Sequence, residues 1–289
     1  MTAKIITLLC NKGGVGRTTT AVNIGWTLAD RGQNVLICDL DSQANASYNL
    51  AKNYTVVESG KNISQMISNG TGSFSDYISE TRHSRLKLLG STLFADKTEA
   101  DLRRNNEIES HRIFENKLDR VTRENFDYII FDTPPSKSSI LMLNALMISD
   151  WFWYIIGAED QWALDSRVIM DKIVSDVQKL NSKLKALPVL LTRYKINNTQ
   201  SKTMKRICDE TFDKGVFTSS IRDTTFITKS NSARQSIFEY DRRHNCAKDY
   251  FDVAQELMTN VENRNNSELS HGRKGSPMIQ PSSSSMGIK

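Results

Sequence analysis

The sequence predicts a doubly wound α/β protein, with helices on both faces of a mostly parallel sheet. Short runs of continuous β-branched and other apolar residues, such as 5–10 and 128–131, alternate with segments of helical periodicity. Strands without polar alternation are typical of a sheet that is buried on both faces. Chemistry-bearing residues directly follow these runs, and ligands of such sheets bind at the carboxyl ends of the strands.

The elements are predicted in order along the chain. A helix over 18–31 ends at Gly32, a residue that favours helix termination. The remaining helices show apolar residues at helical spacing or separate two strands. Strands are predicted over 5–10, 35–38, 128–131, 152–156 and 189–191, and further helices over 110–123, 138–148, 162–184, 199–212 and 245–262.

The length of 289 residues suits one large domain, which we place at 1–262. Residues 263–289 are rich in Ser, Asn, Gly and Pro, a composition that predicts a disordered basic tail. The longest strongly apolar run, 151–156, is far too short to span a bilayer. The first residues do not resemble a signal peptide, because their apolar stretch runs straight into a glycine-rich loop.

The cysteines and the charge distribution indicate the compartment and a partner. The four cysteines have no metal-binding spacing, so we interpret them as reduced thiols of a cytoplasmic protein, three of them in or near the core. The net charge of +5 is unevenly spread: residues 193–234 contain nine Lys and Arg against four Asp and Glu. This asymmetry is consistent with a surface for a polyanion or with an ordinary solvated face.

A glycine-rich segment joins the first strand to the first helix. Glycines let backbone N–H groups turn around a phosphate, and the helix N-terminus adds its positive end. Thr18 is placed to put a hydroxyl on Mg²⁺. The alternative interpretation, an ordinary strand–helix turn, requires neither the glycines nor the threonine hydroxyl. The candidate nucleotide-binding residues are Lys12, Gly13, Gly14, Val15, Gly16, Arg17, Thr18 and Thr19.

Carboxylates follow two of the predicted strands. Asp39 and Asp41 end the second strand, where they suit metal and water positioning, or alternatively cap the next helix. Asp132 ends the strand at 128–131 and precedes Thr133 and two prolines. A buried strand that presents one carboxylate beside a phosphate loop is the Walker B arrangement.

Segments 12–47 and 126–136 resemble the ParA/MinD family of deviant Walker-A ATPases, and most closely its ParA or Soj partition ATPases. The resemblance implies that Lys12 is a signature lysine that reaches the partner's phosphates across a dimer. It implies that residues 13–19 wrap the phosphates of ATP, and that Asp41 orients the attacking water. It also implies that Thr18, Asp39 and Asp132 support Mg²⁺, directly or through water.

Two positions depart from the strict phosphate-loop pattern: Asn11 stands at its first glycine and Arg17 at its lysine. Arginine keeps the positive charge but is larger and planar. Three consequences stay open from the sequence. The chain hydrolyses ATP slowly, or it binds ATP and dimerises with little turnover, or its nucleotide binding is badly impaired.

The relatives bind DNA nonspecifically from the C-terminal half when ATP-dimerised, and this chain has cations there. Three of them, in the predicted helix 199–212, have the spacing to share one face. Each is equally consistent with a solvated surface, and the detailed match to the family is poor. The candidates are Arg193, Lys195, Lys202, Lys205, Arg206, Arg222, Lys229 and Arg234.

The leading functional hypothesis is a partition ATPase that dimerises with ATP and is released from nucleoid DNA when a ParB-like or other adaptor stimulates hydrolysis. A nucleotide-gated DNA-binding dimer with negligible turnover is the alternative that Arg17 motivates. A membrane-directed relative resembling MinD requires a C-terminal amphipathic helix, which the tail lacks. Metal-cluster or reductase relatives require a cysteine arrangement that is absent. We expect no helix-turn-helix domain before the first strand.

Overall fold

The computed structural model describes residues 2–10, 12–105, 108–160 and 167–272. Its centre is an eight-stranded sheet with the order β3-β4-β2-β5-β1-β6-β7, in which β8 also pairs with β6. All pairings are parallel except that of β3 with β4. The strands are β1 Lys4–Leu9, β2 Val35–Asp39, β3 Ser79–Glu80, β4 Leu86–Leu89, β5 Tyr128–Asp132, β6 Trp151–Gly157, β7 Lys185–Ala186 and β8 Leu190–Thr192.

Fourteen α-helices lie among these strands in the described residues, with a short 3₁₀ turn at Ile108–His111. Most are short connections, and four have more than twelve residues. The helices are α1 Arg17–Asp30, α2 Asn45–Leu50, α3 Tyr54–Glu58, α4 Ile63–Ser68, α5 Phe74–Tyr77, α6 Phe94–Asn105, α7 Ile113–Lys117, α8 Arg120–Asn125, α9 Ile140–Ile148, α10 Arg167–Leu180, α11 Thr199–Thr211, α12 Thr225–Ser232, α13 Ile237–Asp241 and α14 Asn245–Gly272.

Helices cover both faces of the sheet, as the continuous apolar strands predict. In β1, Ile6 and Leu8 join the cluster that contains α1 and α14. The neighbouring Ile5 joins the opposite cluster, which contains Leu141 of α9. This period-two alternation buries both sides of the central strand. The doubly wound fold class is therefore confirmed.

The predicted helix at 110–123 is wrong as a single element. The chain leaves helical geometry at Leu118, where ψ is 91°. A new helix then starts because the Asp119 side chain accepts a hydrogen bond from Thr122 N at 2.8 Å. Local capping thus divides the segment into the 3₁₀ turn, α7 and α8.

Two other boundaries differ from the sequence expectation. The first five residues of the predicted helix 162–184 lie outside the described residues, and α10 begins at Arg167. Helix α14 continues to Gly272, ten residues past the predicted domain end at 262. Residues 273–289 lie outside the described part of the chain, so the basic tail remains a prediction.

The strand order brings the chemistry-bearing ends together. Strand β5 lies between β1 and β2, although it follows β2 by about ninety residues and β1 by about 120 in the chain. Asp39 at the end of β2 is the direct register partner of Asp132 at the end of β5. The loop that leaves β1 therefore emerges beside both carboxylates.

The described helices include no membrane-spanning candidate, because none is both long and apolar enough to cross a bilayer. All four cysteines are buried and free of disulfide bonds, in agreement with their interpretation as reduced thiols. Three were expected in or near the core, and the structure places the fourth there as well.

Candidate nucleotide-binding site

The loop between β1 and α1 adopts a backbone that requires glycine. Gly14 and Gly16 have φ values of 80° and 85°, in the left-handed region that other residues rarely occupy. A Cβ atom added at Gly13 or Gly14 would have no heavy atom within 4 Å, so this side of the loop is open. Gly16 also forms the N-cap of α1, which directs the helix N-terminus toward the open side.

Strand β8 holds the loop in place. The Thr192 hydroxyl donates a hydrogen bond to the Val15 carbonyl at 2.6 Å. On the other side, the Asn231 amide of α12 donates to the Thr19 hydroxyl at 3.1 Å. The loop conformation is thus fixed by contacts from the C-terminal half of the chain.

A cavity of about 570 Å³ opens above the loop. Its volume lies within the range of pockets that hold small ligands and cofactors. The loop forms one wall, the segment after β8 and the start of α12 form another, and the end of β2 with α2 closes a third. Residues of these walls include Thr18, Asp41, Asn45, Thr192, Arg222, Thr224 and Asn231.

Arg17 is buried beneath the loop, with 6% of its surface exposed. Its Nε donates to Asp132 Oδ1 at 2.9 Å, and its Nη1 donates to Cys10 Sγ at 2.7 Å. Its Nη2 lies 3.4 Å from Asp41 Oδ2. Burial alone lowers the pKa of Arg17, but Asp132, Cys10 and Asp41 together more than offset this, so the guanidinium pKa lies above its ordinary value. Arg17 is therefore charged and fully engaged by the protein.

Asp39 and Asp132, at the ends of β2 and β5, differ in how many of their carboxylate oxygens accept hydrogen bonds. Asp39 Oδ2 accepts hydrogen bonds from Ser47 N at 2.9 Å and Ser47 Oγ at 2.8 Å, and Oδ1 accepts from Asp41 N at 3.2 Å. Burial and the charge of Asp132 raise the pKa of Asp39 to about 7. Asp132 is fully buried, and its Oδ2 has no hydrogen-bond partner among the residues that the structure describes. Burial raises the pKa of Asp132 as well, against the opposing effects of Arg17 and Thr18.

The donor set suits a hard divalent cation at one side of the site. The unpartnered Asp132 Oδ2 and the half-buried Thr18 hydroxyl are oxygen ligands of the kind that Mg²⁺ prefers. Asp39 fits less well as a direct ligand, because the protein already occupies both of its oxygens. No cluster of three or more His, Cys, Asp or Glu side chains suited to a metal occurs in the described residues.

Lys12 stands at the mouth of the cavity. Its side chain is 62% exposed, and its Nζ lies 3.6 Å from Asp160 Oδ1, just after β6. The Asp160 side chain is only 9% exposed, so the Lys12 end of this ion pair alone faces solvent. The Lys12 ammonium is therefore placed where it can contact an anion that enters the mouth of the cavity. Asn11, the other departure from the phosphate-loop pattern, lies outside the described residues.

The predicted DNA-facing cations do not form one uniform surface. Lys202, Lys205 and Arg206 share α11, where Lys202 and Arg206 are exposed and Lys205 is half-buried. The Arg206 guanidinium pairs with Glu210 at 3.2 Å, and Lys205 Nζ lies 3.4 Å from the Phe217 carbonyl.

The other cations make contacts elsewhere. Arg222 forms a two-pronged ion pair with Asp249 of α14, at 2.7 Å for each nitrogen, and together with Arg193 it lines the nucleotide cavity. Lys195 pairs with Glu159 and with Asp223. Lys229 and Arg234 lie over the rings of Phe226 and Tyr48, respectively.

Sequence reasoning missed several residues that shape the site. These are Cys10, Ser47, Asp160, Thr192 and Asn231, which contact Arg17, Asp39, Lys12, Val15 and Thr19 in turn. Thr192 and Asp160 lie at or just after the carboxyl ends of parallel strands, where ligands of such sheets bind, so strand order in the sequence could have indicated both. Cys10, Ser47 and Asn231 carried none, because their roles depend on the folded geometry.

Comparison with known proteins matches this architecture. A family model described as an AAA domain, AAA_31, matches residues 3–186. The sporulation initiation inhibitor protein Soj of Bacillus subtilis is 31% identical over 260 residues, which are 89% of this chain and 99% of Soj.

Solved structures share the fold. A putative plasmid partition protein of Borrelia burgdorferi bound to AMPPNP superposes with a TM-score of 0.73 at 24% identity, covering 89% of this chain and 99% of that protein. Cobyrinic acid a,c-diamide synthase of Mycobacterium smegmatis, with bound ADP and magnesium, also gives a TM-score of 0.73 at 24% identity, with coverages of 96% and 100%.

Proposed function

Since the chain belongs to the ParA/Soj-type family of partition ATPases, we propose that it is an ATP-dependent partition or positioning protein of the cytoplasm. It binds ATP with Mg²⁺, forms a homodimer in the ATP state and then binds DNA of the nucleoid nonspecifically. A ParB-like or other adaptor stimulates hydrolysis and releases it. The observation that carries this proposal is the glycine loop, which opens onto a cavity of about 570 Å³ at the sheet's carboxyl edge.

The loop supports triphosphate binding through its backbone. Positive φ values at Gly14 and Gly16 let consecutive N–H groups face the cavity, and the N-terminus of α1 adds a partial positive charge. Thr18 and Asp132 would hold Mg²⁺, which supplies charge neutralisation for the phosphates. Structural neighbours crystallised with ADP and magnesium or with AMPPNP support the choice of adenine nucleotide.

Exposed apolar side chains at the nucleotide edge support dimerisation. Leu93 and Phe94, which follow β4, are 73% and 66% exposed. Val168 and Ile169 at the start of α10, which follows β6, are 72% and 54% exposed. Both segments follow carboxyl ends of parallel strands, as the phosphate loop does. A second copy facing this edge would cover these side chains and bring Lys12 toward the partner's nucleotide.

Hydrolysis by this chain is expected to be slow. Asp41 is placed to orient the attacking water, but one of its oxygens faces Arg17 and the other accepts a hydrogen bond from Gln43 N at 3.0 Å. Phosphoryl transfer depends on positioned charge, and here the positive charge of Arg17 is directed at Asp132 and Asp41. A partner that moves Arg17 or Asp41 would therefore accelerate the reaction.

A second candidate function is a nucleotide-gated DNA-binding dimer with negligible turnover. The specific observation in its favour is the three-way anchoring of the Arg17 guanidinium by Asp132, Cys10 and Asp41. Steady-state phosphate release with DNA and the cognate adaptor separates the candidates. Stimulated turnover supports the ATPase, and ATP-dependent DNA binding without turnover supports the gated dimer.

Gel filtration with ATP, ADP or no nucleotide, each with nonspecific duplex DNA at two salt concentrations, tests the proposal directly. We expect a dimer that binds DNA only with ATP and loses it at the higher salt concentration. Phe94→Ser should reduce the ATP-dependent dimer without reducing nucleotide binding, whereas Val121→Ser, at an exposed position of α8, should change neither. DNA binding that is indifferent to nucleotide would contradict the proposal.

A further inference from the structure

Within the described part of the chain, one cationic side chain contacts the carboxylates of the site. Asp39, Asp41 and Asp132 converge where β2 and β5 end, and all three are buried. Among the ion pairs of the described residues, Arg17 is the sole cationic partner of Asp41 and Asp132. Buried carboxylates without a positive partner are strongly disfavoured and take up protons instead, so Arg17 or another cation is what keeps this cluster ionised.

The need for a cation makes Arg17 and Mg²⁺ alternatives at the same carboxylate. Arg17 Nε donates to Asp132 Oδ1 at 2.9 Å, and Asp132 Oδ2 is the oxygen that the donor set offers to a metal. Two positive groups on one carboxylate repel each other. Binding of either one at Asp132 therefore weakens binding of the other, and this coupling is reciprocal.

We propose that Arg17 is an internal counter-cation that competes with Mg²⁺ for Asp132, so that the metal–nucleotide complex must displace the guanidinium to occupy the site. This inference rests on the proposed function and specifies how its nucleotide site is regulated. The consequence is a raised requirement for Mg²⁺ in nucleotide binding. The site then responds to the supply of divalent cation as well as to the supply of ATP.

Arginine is suited to this role in a way that lysine is not. The guanidinium contacts three acceptors through three different nitrogens, Nε, Nη1 and Nη2. A lysine ammonium is a single point charge and cannot reproduce this arrangement. Arg17→Lys thus keeps the charge of the loop and removes the multiple anchoring.

Cys10 acts as a positioning residue for the guanidinium. Its Sγ accepts a hydrogen bond from Arg17 Nη1 at 2.7 Å, whereas Asp132 accepts from Nε. Burial raises the pKa of the Cys10 thiol, so it remains a neutral acceptor that does not itself attract the metal. Cys10→Ala removes this contact and leaves the rest of the loop intact.

The experiment titrates Mg²⁺ into the full-length protein with a fixed concentration of N-methylanthraniloyl-ATP and follows nucleotide fluorescence. Arg17→Lys should lower the half-saturating Mg²⁺ concentration by about tenfold, a typical coupling between two ligands. Cys10→Ala should lower it by about threefold, as expected for one neutral hydrogen bond. In the Arg17→Lys background, Cys10→Ala should have no further effect. Arg120→Lys, at an exposed arginine of α8, is the matched control and should leave the requirement unchanged.

Thermal unfolding is a second measurement, and it distinguishes a failure of the proposed function from a failure of the proposed competition between Arg17 and Mg²⁺. Without nucleotide, Mg²⁺ should raise the thermal unfolding midpoint of Arg17→Lys more than that of the unsubstituted chain. If no variant binds the nucleotide, the proposed function fails and this thermal comparison alone decides the competition. The proposed competition would be overturned if the unsubstituted chain and Arg17→Lys showed equal Mg²⁺ dependence, either in nucleotide binding or in thermal unfolding.

Discussion

The phosphate-loop edge and the basic segment 193–234 differ in how their residues are held. At the loop, backbone conformation and buried side chains from three strands converge, and Arg17 contacts groups 7, 24 and 115 residues away in sequence. In the basic segment, the cations face several directions and pair with nearby acids or rings. Buried contacts thus hold the residues of the phosphate-loop edge in fixed positions, whereas any binding by the basic segment depends on a few exposed side chains.

The largest difference between the regions should appear in the free energy of unfolding. Asp132→Ala leaves the buried Arg17 charge without its main partner and should cost about 3–5 kcal/mol. Urea denaturation followed by circular dichroism measures this loss. The matched control in the basic segment is Glu210→Ala, which breaks the exposed pair with Arg206 and should cost less than about 1 kcal/mol. Similar losses for both variants would show that the Arg17–Asp132 pair is not the buried anchor described.

Backbone strain at the loop gives the next largest effect. Gly14→Ala forces a side chain into a conformation with φ of 80° and should cost about 1–2 kcal/mol of stability. The loop would shift in response, so we also expect loss of nucleotide binding in calorimetry. Gly70→Ala is the control, because its Cβ would meet nothing within 4 Å and its φ is not positive. Retention of full affinity in Gly14→Ala would show that the left-handed geometry is not required.

The basic segment should give the smallest effect and the most specific one. Lys202→Ala, at an exposed position of α11, should weaken nonspecific DNA binding severalfold and reduce the salt slope of log K by about 1. Arg222→Ala should instead perturb the nucleotide cavity, because Arg222 lines it and pairs with Asp249. Fluorescence anisotropy with labelled duplex DNA in the presence of ATP separates the two. An unchanged salt slope in Lys202→Ala would remove α11 from the DNA surface.

The fold was predictable where the sequence of a single segment is enough to indicate its secondary structure. The apolar runs gave β1, β2 and β5 to within one residue at each end, because strands buried on both faces need no partner to be recognised. The short helices between residues 45 and 77 were not predicted, since four to six residues show no clear periodicity. The split between α7 and α8 depends on the Asp119 cap, which helical periodicity does not reveal.

The sequence predicted which residues belong to the candidate site, but not which of them contact each other. The glycines, Thr18 and the strand-end aspartates stand out from sequence order alone. That Arg17 lies between Asp132 and Cys10 depends on the strand order, which places β5 beside β1. The family identity of the chain follows from the matching relatives, whereas the roles of individual site residues and of the basic segment remain predictions.

Isothermal calorimetry of Mg²⁺-ATP binding to the full-length protein tests directly whether the glycine loop binds adenine nucleotide. We expect one adenine nucleotide per chain, bound at the loop and lost in Gly14→Ala. No heat of binding at millimolar ATP and Mg²⁺, or undiminished binding in Gly14→Ala, would contradict it.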